Sequence, residues 1–300
     1  MVCIDKTIHS ETDAAAFVRE CEMDFDRRLD AAIQSIIQNK DIHCITLSGP
    51  SCAGKTTAAH KLIDEIEASG RTAKIISIDD FFHERSELKV TEETIDYDTV
   101  AAIDLDYFSA CVGDMMSGRR TMLPRFDFLT GKRSGTAEYV PSKKDVLIFE
   151  GIQAVYPEIT ALLAPYAYKC IFVNVTQDVA VNGVYFPKND IRLARRIVRD
   201  SKFRAATPEF TLHIWGNVRN NEEKSIFPHV DREAYLLDSF QPYEPFMIGQ
   251  FLLSLLQTVP ESSPYYPQAR DLYDKFYAIR GNEISPDHLS EDSLYHEFLG

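Results

Sequence analysis

Residues 49–56 read Gly-Pro-Ser-Cys-Ala-Gly-Lys-Thr, the spacing GxxxxGK[ST], between a β-branched run at 42–48 and a stretch of helical periodicity that closes at Gly70. Strand, glycine-bearing loop and capped helix, in that order, turn successive backbone N–H groups toward one point and add the positive end of a helix behind them. Such a loop is built to hold phosphate. Gly49 and Gly54 let the chain curl, with Pro50, Ser51, Cys52 and Ala53 between them. Lys55 is placed to reach β and γ phosphates, Thr56 to offer its hydroxyl to Mg²⁺, and Thr57 follows in the first helical turn, so residues 49–57 form the expected ATP-binding set.

The rest of the chain repeats the alternation. Apolar strands are expected at 73–78, ending in Asp79 and Asp80, at 145–149, ending in Glu150, and at 168–175. Strands apolar nearly throughout and separated by helices imply an α/β fold with a parallel sheet covered on both faces, whose ligands sit at the strands' carboxyl ends. Before them, apolar positions at helical spacing from Thr12 to Lys40, with Ser10 or Thr12 as cap, read as an amphipathic leading helix. Residues 119–142 read as a β-hairpin flap and 190–206 as an Arg-rich lid. Beyond Pro228 the chain reads as helical. The expected organisation is a leading helix (1–40), a phosphate-binding core (41–230) and helices packed on it (231–300), with an interface between copies as the alternative use of that last segment.

Charge and composition exclude several classes. Against 32 Lys and Arg stand 46 Asp and Glu, a formal net charge of −14, which opposes nucleic-acid backbones. The apolar stretch at 246–259 falls short of the ~20 residues a membrane helix needs. No secretory leader is visible, and six scattered cysteines without zinc spacing read as reduced thiols in a cytoplasm. The partner is therefore expected to be a small molecule. Among phosphate-loop proteins, a GTPase needs NKxD after the loop, and the only near match, at 39–41, precedes it. Glu150 also stands alone where motor ATPases carry an Asp-Glu pair. Small-molecule kinases remain.

A kinase needs a proton acceptor, a metal and cations for the moving phosphoryl group. Asp79 is the expected base, with Asp80 as its competitor, and Glu150 with Thr56 is the expected Mg²⁺ pair. From Arg192 to Arg204 there are six basic residues and one acid, Asp200. Arg192, Arg195, Arg196 and Arg199 on one helix cannot all find (i, i+4) partners, which points to a lid closing on ATP. Lys55, Arg196 and Arg199 are the expected charge stabilisers.

These strings in this order, GPSCAGKTT, ISIDDFF, YDTVAAID, LPRFDF, VLIFEG and DIRLARRIVRD, resemble the phosphoribulokinase and uridine kinase family over roughly residues 42–205. The resemblance implies a P-loop kinase fold, ATP with Mg²⁺, and transfer to a primary hydroxyl such as the 5′-OH of a nucleoside. It places Asp79 on the family's catalytic aspartate, Asp98 on the carboxylate that holds ribose hydroxyls, and Arg196 and Arg199 on lid arginines that meet phosphate or substrate. Uridine kinases carry Tyr at the place of Phe126, His at about Gly131 and Arg at Ala206, so the polar groups that read a pyrimidine are missing. Phe126, Phe128 and Trp215 are left either to stack on a base or to fill core. Arg125 and Lys132 would suit an anionic acceptor instead. The readings are thus a nucleoside kinase, a kinase of a sugar phosphate or pantothenate-like acid, or a nucleotide-binding regulator without turnover.

Overall fold

The three inner strands of the main sheet are buried on both faces, and its two edge strands are partly exposed. The computed structural model describes residues 1–39, 41–88, 97, 99–128 and 130–300. It begins with β1 (Val2–Ile4) and α1 (Glu11–Ile37), whose buried Val18, Cys21, Phe25, Leu29, Ile33 and Ile36 recur every three or four residues as the sequence predicts. Ser10 caps α1 by accepting the Asp13 N–H at 3.2 Å. Next come β2 (Cys44–Ser48), buried at every position, α2 (Lys55–Ala68) and β3 (Thr72–Ser77). After α3 (Leu105–Met116), β4 (Thr121–Asp127) and β5 (Lys132–Tyr139) pair antiparallel as the expected flap, with a bulge between Arg125 and Phe126. β6 (Asp145–Glu150), α4 (Pro157–Leu163) and β7 (Tyr168–Asn174) follow.

The chain then makes β8 (Val179–Val181), β9 (Val184–Phe186), α5 (Lys188–Phe203), α6 (Pro208–Asn221), β10 (Tyr235–Asp238), α7 (Glu244–Leu256), α8 (Tyr266–Ala278) and the short α9 (His296–Leu299). The main sheet is wholly parallel in the order β10-β7-β2-β6-β3. Its register sets Glu150 opposite both Leu47 and Ser77, so β2, β6 and β3 end level and deliver the loop, Glu150 and Asp79 to one edge. The segment beyond Pro228 is not all helical. β10 extends the sheet beside β7, and β1, β8 and β9 form a second small sheet that the sequence reading did not contain.

α5, the helix of the expected Arg-rich lid, is packed into the protein. Every residue from Ile191 to Asp200 is buried, so this helix is a core element rather than a solvated face. Its charge is balanced from elsewhere in the chain. Arg192 is paired with Glu222, donating from Nη1 to Oε2 at 3.0 Å, and Arg195 holds Glu244 with Nη2 on Oε2 at 2.8 Å. The same two guanidinium groups donate to the carbonyls of Ser51 and Cys52, both at 3.1 Å. Arg195 is fully buried, so removing its partner strands a charge, at a cost of about 3–5 kcal/mol. Glu244→Ala is therefore expected to lower the unfolding free energy by that amount in a urea titration, and a loss under 1 kcal/mol would mean that the pair does not secure α5 to α7.

Candidate active site

The loop after β2 is shaped by two close approaches. A Cβ at Gly49 would lie 2.1 Å from the Val173 carbonyl oxygen, so only glycine passes there. Gly54 has φ +93° and is the N-cap of α2. It carries no side-chain oxygen, so α2 is not capped as expected, and its first N–H groups are left for an anion. Ala53 N–H closes the turn on the Pro50 carbonyl at 3.2 Å, and Lys55 Nζ folds back to the same oxygen at 3.4 Å.

A cleft of about 610 Å³ opens above this loop. Ser51, Cys52, Lys55 and Thr56 form its floor, Asp79 and Glu150 one wall, and Arg196, Arg199 and Arg204 the facing wall. Phe82, Tyr97 and Phe128 lie at its other end. These rings meet edge to face or tilted, with centroids 5.1 Å apart for Phe82 and Tyr97, 5.8 Å for Phe82 and Phe128 and 5.9 Å for Tyr97 and Phe128. Thr57 and the remaining loop residues support the floor without lining the cleft.

Asp79 and Asp80 divide their work. Burial lifts the Asp79 carboxyl above the ordinary carboxylate range, while Lys55 and the Gln153 amide oppose that rise. Asp80 turns away and accepts the Phe126 N–H at 3.0 Å, latching the flap to the end of β3. Glu150 is pushed up to about 7, chiefly by burial, against Lys55 and with Asp79 and Glu297 adding repulsion. Among the described residues no three or more His, Cys, Asp or Glu side chains are arranged to hold a metal. Thr56 and Glu150, the residues expected to hold Mg²⁺, both line the cleft and offer hard oxygens there.

The other sequence-predicted residues separate into groups. Arg196 and Arg199 line the cleft while paired with Asp200, at 3.2 and 2.8 Å. Arg192 and Arg195, expected to meet ATP, lie behind the loop, because their guanidinium groups are taken up by Glu222, Glu244 and the loop carbonyls. Phe126 is buried behind Phe82 and Phe128, while Arg125, on the other side of the bulge, lines a separate 370 Å³ cavity with Lys74 and Asp80 and does not line the cleft. Trp215 is buried under the Arg192 guanidinium, 5.5 Å from its ring, and does not line the cleft. Asp98 lies outside the described residues. Gly131, at φ +66°, admits no side chain, for a Cβ there would meet the Arg85 Nε at 2.6 Å.

The sequence reading did not single out Gln153, Arg204 or Glu297 at this site. Gln153 is buried and donates to the Tyr97 carbonyl at 3.4 Å. Glu297 arrives from the far end of the chain and follows no motif. Only Arg204 carried a sequence signal, as the last of the basic run.

A parallel sheet with a phosphate loop, a carboxylate at the next strand end and a facing wall of arginines defines a P-loop phosphotransferase. The profile of the "Phosphoribulokinase / Uridine kinase family" matches residues 44–240, and the chain belongs to that family. It is a kinase of that family and no finer name follows from the match. It is similar to a uridine kinase of Limosilactobacillus reuteri, 31% identical over 167 residues that cover 55% of this chain and 68% of the relative. It is also similar to uridine-cytidine kinase C of Dictyostelium discoideum, 32% identical over 216 residues, 71% of this chain but 43% of that longer protein. Among solved structures, the putative fructose transport system kinase from Silicibacter sp. TM1040 superposes with a TM-score of 0.52 at 18% identity, covering 69% of this chain and 97% of its own, which speaks to the fold alone.

One consequence of the crowded carboxylates is measurable. Glu150 has a raised value in the folded protein, so its contribution to stability is lost as pH climbs from the ordinary glutamate range through about 7. In nucleotide-free and metal-free buffer, Glu150→Gln should melt higher than wild type at pH 8, by roughly 2–3 kcal/mol in stability, and the gap should close by pH 5. A gap that does not change between pH 5 and 8 would show that Glu150 titrates normally.

Proposed function

We propose that the protein transfers the γ-phosphoryl group of ATP to a hydroxyl of an uncharged nucleoside, most simply its 5′-OH, with Asp79 as general base. The observation that carries this reading is one cleft lined together by Asp79, by the phosphate loop with Lys55, Thr56 and Glu150, and by the rings of Phe82, Tyr97 and Phe128. A flat base stacked on those rings would bring its sugar hydroxyl toward Asp79. Asp79 takes the hydroxyl proton as the oxygen attacks the γ-phosphorus, and Lys55, Arg196, Arg199 and Arg204 offset the negative charge spread over the moving group. Mg²⁺ on Thr56 and Glu150 would neutralise phosphate oxygens. The relatives named for uridine and cytidine support a nucleoside as acceptor.

The wall facing the acceptor favours this over an anionic substrate. Arg125 lines a separate cavity and not the cleft, and Arg133 is held by Asp104 at 2.7 Å. No side chain can project from position 131, and Phe126 has no hydroxyl, so nothing at those two places reads a base edge. Recognition then rests on stacking, and sites without hydrogen-bond readers discriminate weakly. Over a panel of uridine, cytidine, adenosine and guanosine, kcat/KM values are expected within about tenfold of one another, measured as acceptor-dependent ADP release. A preference above 10³ for one base, or turnover only with sugar phosphates, would sink the stacking account.

Asp79→Asn keeps the shape and removes the base. It is expected to lower kcat by 10²–10⁴, on the order usual for general-base loss, while Mg·ATP still binds by calorimetry. Wild-type turnover in that variant would remove Asp79 from its role, and silence of wild type itself on the panel would favour a nucleotide-binding regulator.

A further inference from the structure

Residues 292–300 lie outside the family-matched region, yet they are bound to the nucleotide end of the cleft along their whole length. Asp292 pairs with Lys61 of α2 at 2.9 Å, and the Leu294 side chain sits on Gly54, with its Cδ1 2.2 Å from where a Cβ would be. Tyr295 and Phe298 are fully buried and flank the Arg195 guanidinium, at 5.6 and 5.1 Å from their rings. The Leu299 carbonyl accepts from Lys202 Nζ at 2.7 Å. Held this way, the segment carries Glu297 into the cleft wall among Lys55, Arg199 and Glu150. Its Oε2 is buried and has no hydrogen-bond partner among the described residues. No ion pair within 4 Å compensates it among them either.

Arg195 and Arg199 attract this carboxylate from a distance without a direct ion pair, while its repulsion grows with each negative charge brought beside it. Metal-free ATP brings about four such charges to this cleft at neutral pH, and Mg·ATP about two. We propose that Glu297 is a specificity-determining residue that makes the cleft reject metal-free nucleotide in favour of Mg·ATP. The inference rests on the ATP-binding reading of the cleft. Lys55, Arg196, Arg199 and Arg204 attract either form, whereas Asp79, Glu150 and Glu297 repel the more highly charged form more. Of these three carboxylates, Glu297 is the one with no task in the phosphoryl transfer, so it can be altered without removing the base or a metal oxygen.

The test is isothermal calorimetry of ATP with excess Mg²⁺ and of ATP with EDTA, on wild type, Glu297→Gln and Glu297→Ala, with melting curves for each. Glutamine keeps the volume, and alanine guards against a new hydrogen bond from the amide. Both variants should bind metal-free ATP at least tenfold more tightly than wild type and Mg·ATP no more than about threefold more tightly, which narrows the ratio between the two forms. An unchanged ratio in folded variants, or weaker binding of both forms, would overturn the assignment. Failure of wild type to bind ATP in either form would instead overturn the reading of the cleft itself, and the inference with it.

Discussion

The fully buried Arg195 guanidinium governs how this molecule can be arranged. It can leave water only because Glu244 meets it with both carboxylate oxygens, while the carbonyls of Cys52 and Ser239 take further donors. One side chain thus fixes α7, the chain just beyond β10 and the phosphate loop relative to α5. Arg192 repeats the device with Glu222 and Ser51. A loop that must present its N–H groups to a ligand has carbonyls pointing the other way, and here buried arginines hold those carbonyls. The loop is thereby shaped before any nucleotide arrives.

That arrangement also shows what could be read from the sequence. The inner strands β2, β6 and β7 were legible because burial on both faces needs a continuous apolar run, and the edge strand β3 and the flap were legible from shorter apolar and alternating segments. β10 was not, since four residues, YLLD, carry no periodicity of their own and become a strand only by pairing with β7 across the fold. The partners of the lid arginines were not legible for a similar reason. Arg192 and Arg195 were weighed against acids within one helical turn, whereas their partners lie 30 and 49 residues further along the chain.

Within the site, residues fixed by local geometry were legible and residues delivered by tertiary packing were not. The loop glycines, Lys55, Thr56, Asp79 and Glu150 sit at strand ends, where sequence order already determines position. Arg85 fills the space above Gly131, donating to the Phe128 carbonyl at 2.9 Å, from a segment that pairs with the flap only in the folded chain. Arg125 shows the reverse error. A basic residue in an aromatic flap looked like an anion reader, but in the folded chain, next to the bulge of β4, it lines a separate cavity with Lys74 and Asp80.

Two adjacent aspartates show how little separates support from chemistry in this cleft. Asp79 and Asp80 follow β3 within one tight 3₁₀ turn, Ile78–Phe81, so their side chains diverge. Asp80 is satisfied by a backbone N–H of the flap, and that bond holds Phe126 against Phe82 and so sets the ring wall where an acceptor would stack. Asp79, the proposed proton acceptor, shows no such backbone donor among the described residues and is raised by burial. The flap latch and the proton acceptor are therefore positioned by the same turn, and a shift in that turn would displace the acceptor's rings and the base together. Distance between the two is held by covalent geometry rather than by packing, which is the tighter of the two constraints.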